Sequence, residues 1–275
     1  MTGRTAARIP EHIADAFGVP AVCVPLPGGE GRTFRCGAFV LRQEDLHPEE
    51  MPDAIFAAEL FARIEESPAF RVPRPRRARD GNWLHGGWSC WTFAEGAHAT
   101  ADDAPAMVRA IEAFHAAIAH EPRPPHLPER ALVYDRADRG AFGELPPDVD
   151  PNVRPLLVEL CALRRPLDPG LRDQLIHGDA NAANVLIAPG LPPAIIDLAP
   201  YWRPPEFALA VMALWLCGYA GRTDALPAFA HVRELDQLLL RALLRTLLVM
   251  DGFEQADRLD EYGPTIDFVC RRVTA

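Results

Sequence analysis

Two short apolar runs, Val185-Leu186-Ile187 and Ala194-Ile195-Ile196, flank the turn-forming string Pro189-Gly190-Leu191-Pro192-Pro193. Strand-sized apolar runs on either side of proline and glycine predict a hairpin. Upstream, the first hundred residues read as strand-rich. A short helix is expected over 10–17, entered at Pro10, followed by strands over 21–26, 33–35 and 38–42, the last two about Gly37. Residues 52–66 read as a helix with Ile55, Leu60 and Ile64 on one face, and 83–85 with 88–93 as a hairpin about Gly86-Gly87. From Glu95 onward the spacing becomes helical. Met107, Ile111, Phe114 and Ile118 form one stripe over 104–120, with Asp102 or Asp103 as N-cap. Further helices are expected over 152–163, 205–219 and 232–250, the last carrying Leu235, Leu239, Leu243 and Leu247, and in part of 254–272. Residues 120–170 show little pattern.

Composition narrows the class. At 275 residues the chain suits one large or two small domains. Its net charge of −10 speaks against a nucleic-acid footprint and favours a cationic small acceptor. All 28 basic residues are arginine. The arginine-rich string 74–79 reads as a solvated loop. Six cysteines are scattered without CxxC spacing, so a zinc site is not expected. Cys36, Cys90, Cys161 and Cys217 read as small core residues. The N-terminus lacks the apolar stretch of a signal peptide, and the longest apolar run, 207–220, is too short to span a bilayer. The expected location is cytoplasmic.

The predicted hairpin carries chemistry at its ends. His177-Gly178-Asp179 precedes its first strand and Asp197 closes its second. Asn184 lies five residues and Asp197 eighteen residues after Asp179. Three oxygen-bearing side chains are thereby brought to one end of a hairpin. Two of them can hold a hard cation, and the third can take a proton from a hydroxyl. Phosphoryl transfer from a Mg-nucleotide requires this division of labour.

HGD-x4-N followed by an Asp on a strand end resembles the aminoglycoside phosphotransferase family of the protein-kinase-like superfamily, whose kinase signature is H-R-D-x4-N and then D-F-G. The resemblance implies an α+β, bilobal fold, with a small antiparallel-sheet N-lobe over residues 1–94 and a larger, mainly helical C-lobe over 95–275. It implies a transferase using ATP or GTP with Mg2+ to phosphorylate a hydroxyl of a small molecule. On this basis Asp179 is the base or orienter of the acceptor hydroxyl, Asn184 and Asp197 are metal ligands, and His177 packs beneath the loop. The segment Pro27-Gly28-Gly29-Glu30-Gly31 resembles the family's short glycine loop, in which Gly28, Gly29 and Gly31 let backbone N–H groups approach phosphate. Arg42 of Val40-Leu41-Arg42 falls where the family carries a phosphate-contacting lysine, with Glu59 as its expected helix partner. Cys90 to Gly96 resembles the last sheet strand and hinge, where adenine meets backbone groups near Thr92 and Ala94.

Five positions depart from the family pattern. Arginine at position 42 is planar and forked, unlike lysine. Asn181 stands where relatives place a histidine or lysine, and its amide can donate to a phosphate. Asp197-Leu198-Ala199 replaces Asp-Phe-Gly. Ala208 stands where relatives carry an aspartate that braces the catalytic loop, a task open to Glu206. After Asp197 comes Ala199-Pro200-Tyr201-Trp202-Arg203-Pro204, read either as a cleft wall for substrate or as a rigid connection plugged by Trp202. Asp102, Asp103, Asp251, Glu254 and Asp257 are available to a cationic acceptor. Two functional readings follow from the same residues: a small-molecule phosphotransferase, or a nucleotide-binding pseudokinase with a regulatory or scaffold role.

Overall fold

The computed structural model describes residues 7–27, 31–44 and 50–274. In chain order the elements are β1 (Ala7–Arg8), α1 (Glu11–Phe17), β2 (Val22–Pro25), β3 (Thr33–Cys36), β4 (Phe39–Gln43), α2 (Met51–Arg63), β5 (Leu84–His85), β6 (Trp88–Thr92), β7 (Ala97–His98), α3 (Ala104–Ala117), α4 (Val133–Phe142), α5 (Arg154–Ala162), β8 (Gln174–His177), β9 (Val185–Ile187), β10 (Ala194–Ile195), β11 (Pro200–Arg203), α6 (Pro205–Ala213), α7 (Leu235–Gly252) and α8 (Gly263–Val273). The N-terminal sheet is antiparallel, in the order β1-β2-β3-β4-β6-β5. Two small sheets, β10-β9-β7 and β11-β8, belong to the helical part. This is the bilobal kinase-like architecture.

The register of the first sheet corrects one cysteine assignment. Val24 pairs with Arg35 across β2 and β3, so alternation sets Cys23 opposite Cys36. The two form a disulfide, with Cα atoms 4.5 Å apart. Cys90 and Cys217 are buried thiols, as expected, and burial pushes each up to about 11.

Burial divides the molecule differently from a cut at residue 94. One cluster fills the space between α1 and the sheet, with Ile13, Phe17, Leu41, Trp88 and Cys90 at its centre. The second and larger cluster holds the helical part and also takes Ala57, Leu60, Phe61 and Ile64 of α2. Phe61 and Phe70 meet Phe114 of α3 edge to face, at 6.1 and 5.7 Å between centroids. Polar ties reinforce this seam. Asp53 of α2 accepts from His126 at 2.7 Å and is paired with Arg130, while Arg63 grips Glu121 through two bonds. The buried face of α2 therefore runs 57, 60, 61, 64, and Ile55 is exposed. A face drawn through Ile55 misses the i, i+3, i+4, i+7 stripe.

The arginine-rich string is not a free solvated loop. Arg74 donates to the Phe61 and Ile64 carbonyls at the end of α2, the role a cation takes at a helix C-terminus. Arg76 and Arg77 lie over the Phe39 and Trp83 rings. The leucine stripe of α7 is buried as the spacing predicts. Helix α4 and strands β7, β8 and β11 carry too little periodicity to be read from sequence.

Candidate active site

Strand β8 delivers the HGD sequence, and its partner β11 fixes the height of the loop, with Pro200 opposite His177 and Tyr201 opposite Ile176. Gly178 follows. A Cβ here would sit 2.1 Å from the Tyr201 ring, so the backbone crosses that ring at a distance only glycine permits. The Tyr201 ring is flanked by the guanidinium groups of Arg130 and Arg245, at 4.8 and 4.5 Å. The segment after Asp197 forms strand β11, and its Tyr201, Trp202 and Arg203 line a small recess with Arg130 and Asp135. Tyr201 is buried, Trp202 is half-buried, and Arg203 pairs with Asp138 at 2.6 Å.

His177 is fully buried and joins the two halves of the site. Its Nε2 donates to the Ile196 carbonyl at 3.1 Å, while Nδ1 accepts from the N–H groups of Asp179 and Ala199 at 3.3 and 3.4 Å. Its own N–H donates to Nε2 of His115, a residue of α3 that no sequence signal singled out. Burial lowers both imidazoles, His115 to about 3, while Asp179 and Asp197 pull His177 the other way. The folded chain thus holds these histidines neutral, whereas the unfolded chain protonates them below about 6.5. The unfolded state then binds more protons, so stability is full above that pH and falls as pH drops, by up to about 1.4 kcal/mol per pH unit for His115 and in the same direction for His177. Denaturation midpoints measured from pH 7 to pH 5 are expected to show this slope. His115→Gln, which keeps an acceptor for the His177 N–H, reduces the slope by the contribution of one proton.

The Asp179 carboxylate is held from two sides. Oδ1 accepts from Asn181 Nδ2 at 2.8 Å and Oδ2 from Asn184 Nδ2 at 2.9 Å; Asn184 also donates to the Asp179 carbonyl at 2.8 Å. Asn181 Oδ1 accepts from the Ala183 N–H. The Asn181 amide expected to reach a phosphate is therefore engaged within the loop and orients Asp179 instead. The hairpin of β9 and β10 has the expected pairing, Leu186 with Ala194 and Val185 with Ile195. The Asn184 carbonyl accepts from the Ile196 N–H at 3.0 Å, which brings Asp197 beside the loop. Asp197 has φ 58°, a left-handed conformation uncommon outside glycine and concentrated at functional sites. Asp179, Asn184 and Asp197 come together.

The partner of Arg42 is not Glu59. Arg42 Nη1 donates to Asp197 Oδ1, and Nε lies 3.4 Å from Glu44 Oε2. Glu59 is exposed on α2, away from the buried face that commits this helix to the larger core. Glu44 was missed, though strand alternation sets residues 42 and 44 on one face. Ser89 donates to Glu44 Oε1 at 2.6 Å and receives a bond from Trp91 Nε1. Burial raises the Glu44 pKa against the opposing pull of Arg42.

At the hinge, the Thr92 N–H and hydroxyl are both engaged by the backbone of Arg74, and the Phe93 N–H donates to Ala38. The N–H of Thr92 is thus unavailable to a base, while that of Ala94 has no partner among the described residues. Gly96, with φ 136°, passes so close to Ile187 that a Cβ would meet its carbonyl oxygen at 2.9 Å. Of the glycine loop, Gly31 has φ 78°; Gly28 and Gly29 lie outside the described residues.

The catalytic loop is braced from α7 rather than from α6. Arg245 Nη1 donates to the Gly178 carbonyl at 2.6 Å, while Ala208 is buried and apolar and Glu206 Oε2 is buried without a partner. Among the leucines of α7, nothing in the sequence marks Arg245. Beside Asp179 and Asn181 a cavity of about 310 Å³ opens between α7 and the end of α6, with Trp215, Tyr219 and Tyr262 in its wall. That volume is at the small end of ligand pockets.

A two-lobed body whose HGD loop, amide and strand-end aspartate meet beneath an arginine-bearing sheet is a protein of the kinase-like class. The family model described as "Phosphotransferase enzyme family" matches residues 22–231, and the chain belongs to that family. Similar solved structures include an amicoumacin kinase in complex with AMP-PNP, Ca2+ and Ami (TM-score 0.60, 12% identity, covering 94% of this chain and 91% of that one). A spectinomycin phosphotransferase in complex with ADP and spectinomycin gives TM-score 0.57 at 14% identity, over 94% and 95% of the two chains. A thermostable mutant of aminoglycoside phosphotransferase APH(4)-Ia, in apo form, gives 0.58 at 20% identity, over 95% and 98%. These likenesses establish the fold. Comparison with curated protein sequences gives no match.

Proposed function

We propose that this protein transfers the γ-phosphoryl group of a Mg-nucleotide, ATP or GTP, to a hydroxyl of a small molecule. The observation that carries the reading is the doubly held Asp179 carboxylate beside a cavity of small-molecule size. A carboxylate fixed by two amides is oriented before substrate arrives, and orientation is most of what phosphoryl transfer asks of a protein. The acceptor oxygen attacks the γ-phosphorus while the bond from that phosphorus to the β–γ bridging oxygen breaks. The hydroxyl proton passes to Asp179, and the nucleoside diphosphate leaves.

The donor atoms fit a hard divalent ion. With its nitrogen bound to Asp179, Asn184 presents Oδ1, and Asp197 presents the carboxylate oxygen that Arg42 does not take. Oxygen ligands of this number suit magnesium, which keeps several waters. Bound there, the ion would neutralise charge on the phosphate oxygens. Arg42, on the strand above, carries the fixed positive charge for the phosphates, and the Ala94 backbone offers a donor to the base. No helix among the described residues is long and apolar enough to cross a membrane. We place the activity in the cytoplasm, where Mg-nucleotides are abundant.

The Arg42–Asp197 pair favours the second reading, a nucleotide-binding scaffold, because it occupies one of the two groups a metal needs. Thermal unfolding with Mg-ATP, Mg-GTP and each nucleotide without metal addresses both. At a hundredfold excess over Kd, about 2.7 kcal/mol of stabilisation is expected, dependent on magnesium. Phosphate appearing on an acceptor supports the enzyme. Stabilisation without transfer to any of a broad set of alcohols supports the scaffold.

A further inference from the structure

The cavity beside Asp179 is walled by aromatic rings and carries almost no negative charge. Trp215 and Tyr219 stand four residues apart on the π-helical turn Leu214–Tyr219 that continues α6, and Tyr134 and Tyr262 close the sides. Irregular turns of this kind commonly present side chains at functional sites. Among the described residues, the large aromatic side chains left exposed are Tyr134, Trp215, Tyr219 and Phe253. The first three line the cavity, and Phe253 packs on Tyr134 at 5.5 Å. Apolar surface gathered in one place marks a binding surface.

The charges point the same way. Among the described residues, Asp179 is the one carboxylate in the lining. The acids that a cationic acceptor was expected to use lie elsewhere: Asp102 is paired with Arg222, Asp103 accepts from the Thr100 backbone, and Asp251 accepts from the Asp150 N–H. Glu254 and Asp257 are not in the wall either. Arg245 is. It spends one donor on Gly178 and has no carboxylate partner among the described residues, which leaves guanidinium N–H groups for an acceptor oxygen.

Resting on the phosphotransferase reading, we propose that the acceptor is a ring-bearing alcohol, neutral or anionic, whose ring lies among Trp215, Tyr219 and Tyr262 and whose carbonyl or carboxylate oxygen meets Arg245. Its hydroxyl faces Asp179 and is the group phosphorylated, its proton going to Asp179 as the nucleoside diphosphate departs. A polyamine is disfavoured here because it would face a fixed positive charge with one carboxylate to answer several ammonium groups.

The test uses the full chain saturated with Mg-AMP-PNP and titrated with 4-hydroxyphenyllactate, kanamycin and choline, reading tryptophan fluorescence. A saturable change with 4-hydroxyphenyllactate, lost in Trp215→Phe and at least tenfold weaker in Tyr219→Ala, is expected, while kanamycin and choline bind at least tenfold more weakly. With Mg-ATP the same preference is expected in kcat/KM. Tighter binding of kanamycin or choline, or a response to 4-hydroxyphenyllactate unaffected by either substitution, overturns the assignment. No response to 4-hydroxyphenyllactate overturns it as well. A magnesium-dependent nucleotide shift that survives such a result leaves the phosphotransferase reading standing and removes only the acceptor class; loss of that shift removes the parent reading.

Discussion

Asp179→Asn is expected to lower the rate of phosphoryl transfer by about 10²- to 10⁴-fold, the usual contribution of a positioned proton acceptor, with nucleotide affinity unchanged. The substitution preserves shape but places an NH₂ group against Asn181 Nδ2 or Asn184 Nδ2, each of which now donates to the carboxylate. Donor would face donor on at least one side, so the loop also loses one of its two lateral bonds. The check is single-turnover transfer with saturating nucleotide, beside a separate binding titration. A loss confined to KM for the nucleotide would move Asp179 out of the reaction and into the phosphate site.

Asp197→Ala is expected to remove the magnesium dependence of nucleotide binding. Disturbing residues that merely orient metal ligands costs about 10- to 100-fold in affinity, and loss of a ligand is expected to cost at least as much. The same substitution removes one partner of Arg42, whose side chain also lies near Glu44. Loss of that carboxylate also removes negative charge facing the phosphates, so metal-free nucleotide binding is expected to hold steady or tighten while the metal-dependent part disappears. Titrations with and without magnesium, on this variant and on Arg42→Ala, separate the two contributions. Magnesium dependence that persists in Asp197→Ala would show that the ion is held elsewhere.

The parts of the site legible in the sequence share one property: their partners are near in the chain. Asp179, Asn181 and Asn184 lie within six residues, and the β9–β10 hairpin brings Asp197 back to them by local turn chemistry. The contributions that escaped the sequence come from far away. His115 on α3 and Arg245 on α7 reach the loop only through packing, and each sits in a helix whose apolar stripe hides it. Glu59 was a fair candidate by analogy. It failed because its helix turns its buried face toward α3 and leaves that carboxylate exposed, a choice made by Phe61, Phe70 and Phe114 together. The cysteine pair was missed for want of a register, which only the paired strands provide. Strand β11 went unread because Pro200 and the bulky residues after it lack alternation.

Helix α2 is cemented to the lower body by aromatic contacts and by the Asp53–Arg130 tie. Phe61 of this helix also meets Trp91 of β6 edge to face at 6.0 Å, so the helix joins the upper sheet to the lower body. Glu59 on the exposed side of this helix makes no ion pair with the strand above among the described residues. In the proposed reaction the group that would change partners is Arg42, drawn from Asp197 by the incoming phosphates.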